Sequence, residues 1–427
     1  MNSKPRVALL SSEPIRLRMG GIGIRYLELA RRLQGHGLQV VLLSLSKPED
    51  VQDVPLEGVE LRSFQVGKLA DLLVDCGCAV AQGQLANDVI LEVPGLPVVI
   101  DLYDPFMIEN FAYLESLGLD AYRNDHTTWV LQMSRGDFFL CSSEEQRHFY
   151  LGFLAALGRV NPVRVLGDPE LRGLVAPVPF GVPDELPPYQ PLLPPRPPGE
   201  TWLLFGGLYD WYDPFTLLEA MQILDRPDWI VFFIRNPNPD STPQVLLQKV
   251  EARCRQLGWW EERVRLIDWT AADRRYDMLR EMDLMVAPHK PTLETTLSLR
   301  TRCLDALAGN CPIITSDGGA MSRLVREYNA GWVAPPGDAP TLARLITEAV
   351  EDKAEREQRM AGAERLLETF RWDKVLLPLV EFCRDPKEDP TKEQFAHRPA
   401  VLPPLDPFLF RLRRKVRALR NALGLRR

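Results

Sequence analysis

The chain has 427 residues, 45% hydrophobic and 26% charged, with a net charge of −7, which is apolar material for two or three domains of ~100–200 residues each. No stretch approaches the ~20 consecutive apolar residues of a membrane-spanning helix, Met1–Leu10 lacks the apolar length of a secretory leader, and the acidic balance argues against nucleic acid as a partner. Seven scattered cysteines and five histidines suit reduced core thiols of a cytosolic protein and give no metal-ligand spacing.

The first half alternates buried strands with helices. Arg6–Leu10 is a short apolar run, so a strand. Gly20–Leu33 follows with Ile24, Leu27, Leu29, Ala30 and Leu33 on one helical side. Gln39–Leu45, Cys78–Val80, Pro97–Leu102 and Phe138–Cys141 are further strands. Ala121–Arg135 and Ser143–Ala156 are helical, the second opening on a Ser-Glu-Glu-Gln cap. This rhythm predicts a mostly parallel sheet covered on both faces. Pro183–Pro198 then holds eight prolines in sixteen residues, which no regular element tolerates. The rhythm restarts after it, with strands at Trp202–Phe205, Trp229–Ile234, Val264–Ile267, Leu284–Ala287 and Pro312–Thr315. Helices are expected at about Phe215–Leu224, Pro243–Leu257, Ala272–Met282 and Thr301–Ala308. The predicted division is therefore an N-terminal domain (1–182), a proline-rich linker (183–199), a C-terminal domain (200–371), a closing helix (372–384), and a linker with a basic tail (385–427). In that tail Leu412, Val416, Leu419 and Leu423 share a helical face surrounded by arginines.

Three segments can carry chemistry. Gly20, Gly21 and Gly23 lie between the first strand and the first helix, where glycine lets a backbone approach a ligand and a helix N-terminus favours an anion. A dinucleotide fingerprint fits poorly, because its third glycine would fall on Tyr26 and Leu43-Ser44-Leu45-Ser46 ends without an acid. A plain tight turn is the other reading. Asp101 and Asp104 stand at the C-terminal end of a parallel strand, where open α/β sheets place ligands. They suit sugar hydroxyls or acid–base work, although Asp104-Pro105 also starts helices. The third segment runs from His289 through Lys290, Glu294, Ser298, Arg300, Thr301 and Arg302 to Asp305. A helix start with two guanidinium groups offers N–H donors, a favourable dipole and bidentate charge to a diphosphate. Asp305, further along, is in reach of a ribose. A solvated surface helix is the bland alternative.

The chain to about residue 384 resembles the retaining GT-B glycosyltransferases of the large family four. The resemblance rests on Gly20–Gly23 with Arg25-Tyr26-Leu27-Glu28-Leu29-Ala30, on Leu304–Ile314, and on Phe370–Trp372. Asp101–Pro105 and Glu294–Asp305 resemble more narrowly a bacterial subgroup associated with cell-surface glycans. The resemblance implies two Rossmann-like domains facing across a cleft and transfer of a sugar from a nucleoside diphosphate sugar to an acceptor hydroxyl with retention. The nucleotide would be bound mainly by the C-terminal domain. Departures from the family pattern are specific. Its paired glutamates fall on Leu297 and Asp305. Its glycine-arginine…lysine phosphate site falls on Gly206-Gly207-Leu208-Tyr209-Asp210-Trp211-Tyr212. Its N-domain histidine falls on Tyr103.

Together these observations predict a metal-independent transferase needing no cofactor beyond its sugar donor. Asp101, Asp104 and Glu294 are the expected catalytic residues. Gly20, Gly21, Gly23, Lys290, Ser298, Arg300, Thr301, Arg302 and Asp305 are the expected nucleotide-sugar ligands, with Glu294 standing in for the missing first glutamate. The expected partners are the donor and a glycan or lipid-linked acceptor. The expected location is cytoplasmic, with the tail (405–427) either on an anionic membrane face, docked on the acidic body, or a disordered basic end. A GT-B nucleotide-sugar epimerase and a non-catalytic nucleotide- or glycan-binding relative are the alternatives.

Overall fold

The computed structural model describes residues 6–46, 51, 53–65, 67–235 and 245–395. The C-terminal tail (405–427) lies outside them. Two parallel sheets dominate. The first holds β1 (Arg6–Ser11), β2 (Gln39–Ser44), β3 (Glu60–Ser63), β4 (Cys76–Ala81), β5 (Val98–Asp101), β6 (Phe138–Cys141) and β7 (Val175–Pro177). The second holds β8 (Thr201–Gly207), β9 (Trp229–Ile234), β10 (Val264–Ile267), β11 (Leu284–Ala287), β12 (Ile313–Ser316) and β13 (Trp332–Ala334). Their strand orders are β3-β2-β1-β4-β5-β6-β7 and β10-β9-β8-β11-β12-β13. In each sheet the order reverses beside the first strand, β1 or β8, and such a reversal opens a crevice at the C-terminal strand ends.

Local chemistry explains most elements. Central strands such as β9, Trp229–Ile234, are buried at every residue, as a sheet covered on both faces requires. Ser143 caps helix Glu144–Ala156 by accepting from the Gln146 N–H at 3.2 Å. The edge strand β3 reads Glu-Leu-Arg-Ser and is only half-buried, so its pattern gives no apolar signal. Helix Gly21–Gly35 buries Ile24, Leu27, Leu29, Ala30 and Leu33 against the first sheet. On the sheet's other face Trp129 is fully buried, ringed by Phe106, Phe149, Tyr150 and Phe153 with centroids at 5.6, 6.1, 5.7 and 6.1 Å. All seven cysteines are free thiols, and six are buried.

The proline-rich segment crosses to the second domain as an extended strap. Glu281 accepts the Leu192 N–H at 2.7 Å, and Arg280 donates to the Pro187 carbonyl at 2.8 Å. The chain then returns. Val182 and Arg371 form a parallel bridge, so the outward and return crossings lie side by side. Beyond it Trp372 is buried and Phe382 stacks on Phe138 at 5.1 Å. The closing region, expected as one helix, is two: Trp372–Val375 and Leu377–Arg384, parted at Leu376 ahead of Pro378. The expectation that a loose linker begins at residue 385 is also corrected for its described part. Residues 385–395 pack on the N-terminal domain, where Asp389 meets Arg159 at 2.7 Å with both side chains fully buried. Thr391 accepts from Asn161 at 3.0 Å.

Candidate active site

The C-terminal ends of both sheets line one cleft of about 280 Å³. Gly21, Ile22, Ile24 and Arg25 reach it from behind β1, and Tyr103, Asp104 and Glu109 from behind β5. From the other side come Gly206, Tyr209, Trp211 and Tyr212 behind β8, Trp269 behind β10, and Glu294 with Ser298–Arg302 and Asp305 behind β11. Hydrogen bonds cross the cleft. Trp269 Nε1 donates to the Met19 carbonyl at 3.1 Å, the Ala272 N–H to the Leu17 carbonyl at 3.1 Å, and the Tyr103 and Thr301 hydroxyls bond each other. A larger hollow of about 630 Å³ lies on the N-terminal domain between helices Gly83–Glu92 and Leu119–Arg135. It adjoins Val98 and Asp137, at the opposite ends of β5 and β6, and contains none of the expected site residues.

Of the four arginines that line the cleft, Arg302 is the one outside any ion pair among the described residues. Its guanidinium lies over the Trp269 ring at 5.0 Å and the Tyr209 ring at 5.4 Å. It rests against the Gly206-Gly207 turn, where a Cβ on Gly207 would stand 2.7 Å from its Nη1. That Nη1 is buried and has no hydrogen-bond partner. Ser298 Oγ, also lining the cleft, is likewise buried and unpartnered. Unsatisfied buried donors are costly, and both belong to residues that line the cleft. Asp305 lines the cleft as well and accepts from Tyr276 Oη at 3.1 Å and Arg275 Nε at 3.4 Å.

Several expected residues play other parts. Arg300 is not a free phosphate ligand. It forms a bidentate pair with Glu294 at 2.7 and 2.8 Å, and the two charges neutralise each other at the cleft wall. Glu294, expected to be catalytic, is thereby held against a guanidinium. Asp101 is not in the cleft. Arg25 grips it at 2.7 and 3.0 Å, with Asp101 fully buried and Arg25 2% exposed. Lys290 points elsewhere and donates to the Asp210 carbonyl at 2.6 Å. The glycine loop is closed from within: Glu13 accepts the Gly20 N–H at 2.6 Å and the Gly23 N–H at 2.8 Å. Those two amides therefore do not face a phosphate. Of the three glycines Gly21 alone lines the cleft, with open space where its Cβ would stand.

Two carboxyls stand out on the N-terminal side. Burial, reinforced by Asp101 and Glu13 and opposed by Arg25, pushes Asp104 up to about 7. Glu109 is raised well above the usual range by burial, with Asp104 and Glu294 adding and Arg300 opposing. Glu109, Glu13, Arg25, Arg275 and Trp269 are not singled out by the sequence reasoning. Arg25 carries a legible signal: it is a charged residue inside the apolar face between Ile24 and Tyr26. Glu109 has none: it is the last residue of a four-residue helix, Phe106–Glu109.

Sucrose-phosphate synthase from Thermosynechococcus elongatus superposes with a TM-score of 0.64 at 16% identity, over 89% of this chain and 98% of that one. HepE of Anabaena, solved in complex with UDP-glucose, superposes with a TM-score of 0.64 at 14% identity, over 88% of this chain and 98% of that one. The fold is GT-B. Residues 200–352, most of the GT-B C-terminal half, match the family model "Glycosyl transferases group 1". A D-inositol 3-phosphate glycosyltransferase of Jonesia denitrificans is 25% identical over 182 residues, 42% of this chain and 41% of the relative. The match thus spans less than half the length of that relative. Among the described residues no helix is long and apolar enough to cross a membrane.

Proposed function

We propose that the chain is a glycosyltransferase that takes a sugar from a nucleoside diphosphate sugar and places it on an acceptor hydroxyl. The observation that carries this reading is Arg302. A guanidinium with a buried, unpartnered Nη1 sits in an interdomain cleft on a glycine turn, between two aromatic rings. It supplies the charge that a departing diphosphate needs, in a partly desolvated site where such an interaction is strong. The chain's departures from the family pattern then make sense, since Arg302 reaches the Gly206-Gly207 turn that lacks an arginine and lysine of its own. Ser298 Oγ is placed to add a hydrogen bond, and Asp305 to hold a ribose hydroxyl. Asp104, titrating near neutrality, is suited to exchange a proton with the acceptor hydroxyl. The group 1 match and the GT-B fold support the reaction class. Retention and a role in bacterial surface glycans rest on the family resemblance.

The test is nucleotide binding by calorimetry. UDP, ADP and GDP are titrated into the full chain and into Arg302→Ala. One of them should bind, and the variant should lose about ten-fold or more, since a charged hydrogen bond contributes ~1.5–3 kcal/mol. Equal affinity in both proteins would remove Arg302 from the site. Transfer is proposed to need no metal, the arginine supplying the charge. Loss of activity in EDTA with rescue by Mg²⁺ or Mn²⁺ would refute that. Membrane contact through the basic C-terminus is proposed as well, and vesicle co-sedimentation tests it. Because Asp389 is part of the buried core, the truncation should fall after Phe395 and not before it. That shortened chain should stay in the supernatant, whereas the full chain should pellet with anionic vesicles at low salt.

A further inference from the structure

The four arginines of the cleft are held in two different ways. Acids hold three of them: Asp101 takes Arg25, Asp305 takes Arg275 and Glu294 takes Arg300. Aromatic rings hold the fourth. The Arg302 guanidinium lies 5.0 Å from the centre of the Trp269 ring and 5.4 Å from that of Tyr209, inside the ~6 Å over which a ring face attracts a cation. Both rings are braced by the N-terminal domain. Trp269 Nε1 donates to the Met19 carbonyl at 3.1 Å. Tyr209 stacks on Trp211 at 5.0 Å with the rings 8° from parallel, and Trp211 meets the edge of Tyr113 at 5.9 Å.

We propose that Trp269 and Tyr209 are positioning residues, which hold Arg302 in the cleft through its contacts with their rings and so keep its charge available to the diphosphate of the donor. The inference deepens the transferase reading and rests on it for the identity of the ligand. The two ways of holding an arginine differ in what they leave over. A carboxylate fixes a guanidinium by paired hydrogen bonds that cancel its charge and occupy its donors. A ring face fixes it through the quadrupole of the π-system, and the positive charge remains. Arg300 and Arg302 flank Thr301 at the start of one helix, yet only Arg302 can meet an anion without first giving up an acid. A long side chain with neither kind of partner would have to be ordered each time the anion binds. The rings do that ordering beforehand. Gly207 leaves the room for it, since a Cβ there would stand 2.7 and 2.9 Å from the two terminal nitrogens of Arg302. The braces from Met19 and Tyr113 keep the two rings themselves in place.

Calorimetry on the full chain with inorganic pyrophosphate and with UDP, ADP and GDP tests this. Trp269→Leu should weaken pyrophosphate and whichever nucleotide binds by the same factor, about ten-fold, which is 1.4 kcal/mol. Trp269→Phe, which keeps a ring, should stay within about three-fold of wild type. In an Arg302→Ala background Trp269→Leu should cost less than about two-fold more, because the ring acts through the arginine. Tyr209→Leu carries the same expectations and takes the place of Trp269→Leu if that variant does not fold. Unchanged affinity in the leucine variants, a loss confined to the nucleotides, or a full loss in the Arg302→Ala background would each overturn the proposal. The second of these would make Trp269 a stacking wall for the base. A measurement without ligand separates this inference from the donor reading. In a chain labelled with nitrogen-15 arginine, the Nε–H proton of Arg302, assigned by its absence in Arg302→Ala, should be shielded by the rings and move downfield in Trp269→Leu. If neither pyrophosphate nor any nucleotide binds, the donor reading falls, and an Arg302 resonance at the same position in both proteins would overturn the ring contacts as well.

Discussion

Each domain carries a glycine segment on the C-terminal side of its sheet's first strand, Gly20–Gly23 nine residues beyond β1 and Gly206-Gly207 as the last two residues of β8, and the two do opposite things. Gly20–Gly23, behind β1, is filled by its own chain. Glu13 takes the Gly20 and Gly23 amides, and the side chain of Met19 would lie 2.9 Å from a Cβ on Gly23. Gly206-Gly207, at the end of β8, is left open by its own chain and receives Arg302 from a helix almost a hundred residues later. One turn has its anion built in, and the other has a cation waiting for one. Glycine behind a Rossmann strand therefore signals close approach of something, and the neighbouring charge decides whether that partner is internal or a ligand.

Substitutions can break this contrast. The largest effect is expected at Gly207→Ala. The added methyl meets only the flexible end of Arg302, at 2.7 and 2.9 Å from its two terminal nitrogens, so the domain should fold and the guanidinium should move. Nucleoside diphosphate affinity should drop about 30-fold, ~2 kcal/mol, while the melting temperature stays within a degree or two. Glu13→Ala should do the converse. Losing both amide partners at the start of helix Gly21–Gly35 should cost ~1–3 kcal/mol of stability, measured in urea, with nucleotide affinity changed by less than about three-fold. A comparable fall in affinity would mean that the loop contacts the diphosphate after all.

Asp104→Asn sharpens the picture of the acidic side. A carboxyl whose folded pKa is about 7, against an ordinary value of 3.8, binds its proton more tightly in the native state. Its contribution is therefore favourable at low pH and lost as pH rises between those values. The variant should equal wild type near pH 2, where the carboxyl is protonated in the folded and the unfolded chain alike, and be more stable by up to ~4 kcal/mol at pH 8. Equal stability at both pH values would show that Asp104 titrates normally. The smallest effect is expected at Lys290→Ala. Its ammonium is engaged with the Asp210 carbonyl outside the cleft, so nucleotide affinity should move by less than about two-fold.

The parts of the fold that were legible are those governed by local pattern. Apolar runs give β1, β2, β4, β5, β6, β8, β9, β10, β11 and β12, and the glycine loop, the Ser143 cap and the proline strap are readable one element at a time. Strands β3, β7 and β13 are not, because they are short edge or near-edge pieces whose pairing and not their periodicity defines them. The site was half legible for the same reason. The sequence places Ser298, Arg300, Arg302 and Asp305 together, but it does not show which arginine is free. Glu294 lies six residues before Arg300, across a break between helices Leu293–Leu297 and Thr301–Ala308. Only the turn at Ser298–Leu299 brings the two face to face. The pairing of Asp101 is not legible because its partner, Arg25, arrives from a helix 76 residues earlier. Pairings of that range are set by the fold and have no trace in spacing.

The return of the chain across the domain boundary has a consequence for the order of synthesis. The N-terminal sheet is complete by residue 177, yet the guanidinium of Arg159 finds its carboxylate at Asp389. Between them lies the whole second domain, which is in topological terms an insertion into the first. A nascent chain on the ribosome must therefore carry an unfinished first domain, with a buried-site cation unneutralised and the surface under Phe382 uncovered, while some two hundred residues are added. An uncompensated buried charge is strongly destabilising, so the first domain reaches its final stability only when translation is nearly over. The segment that completes it works as a latch, and termination after the second domain but short of that segment leaves both domains built and the first one unlocked.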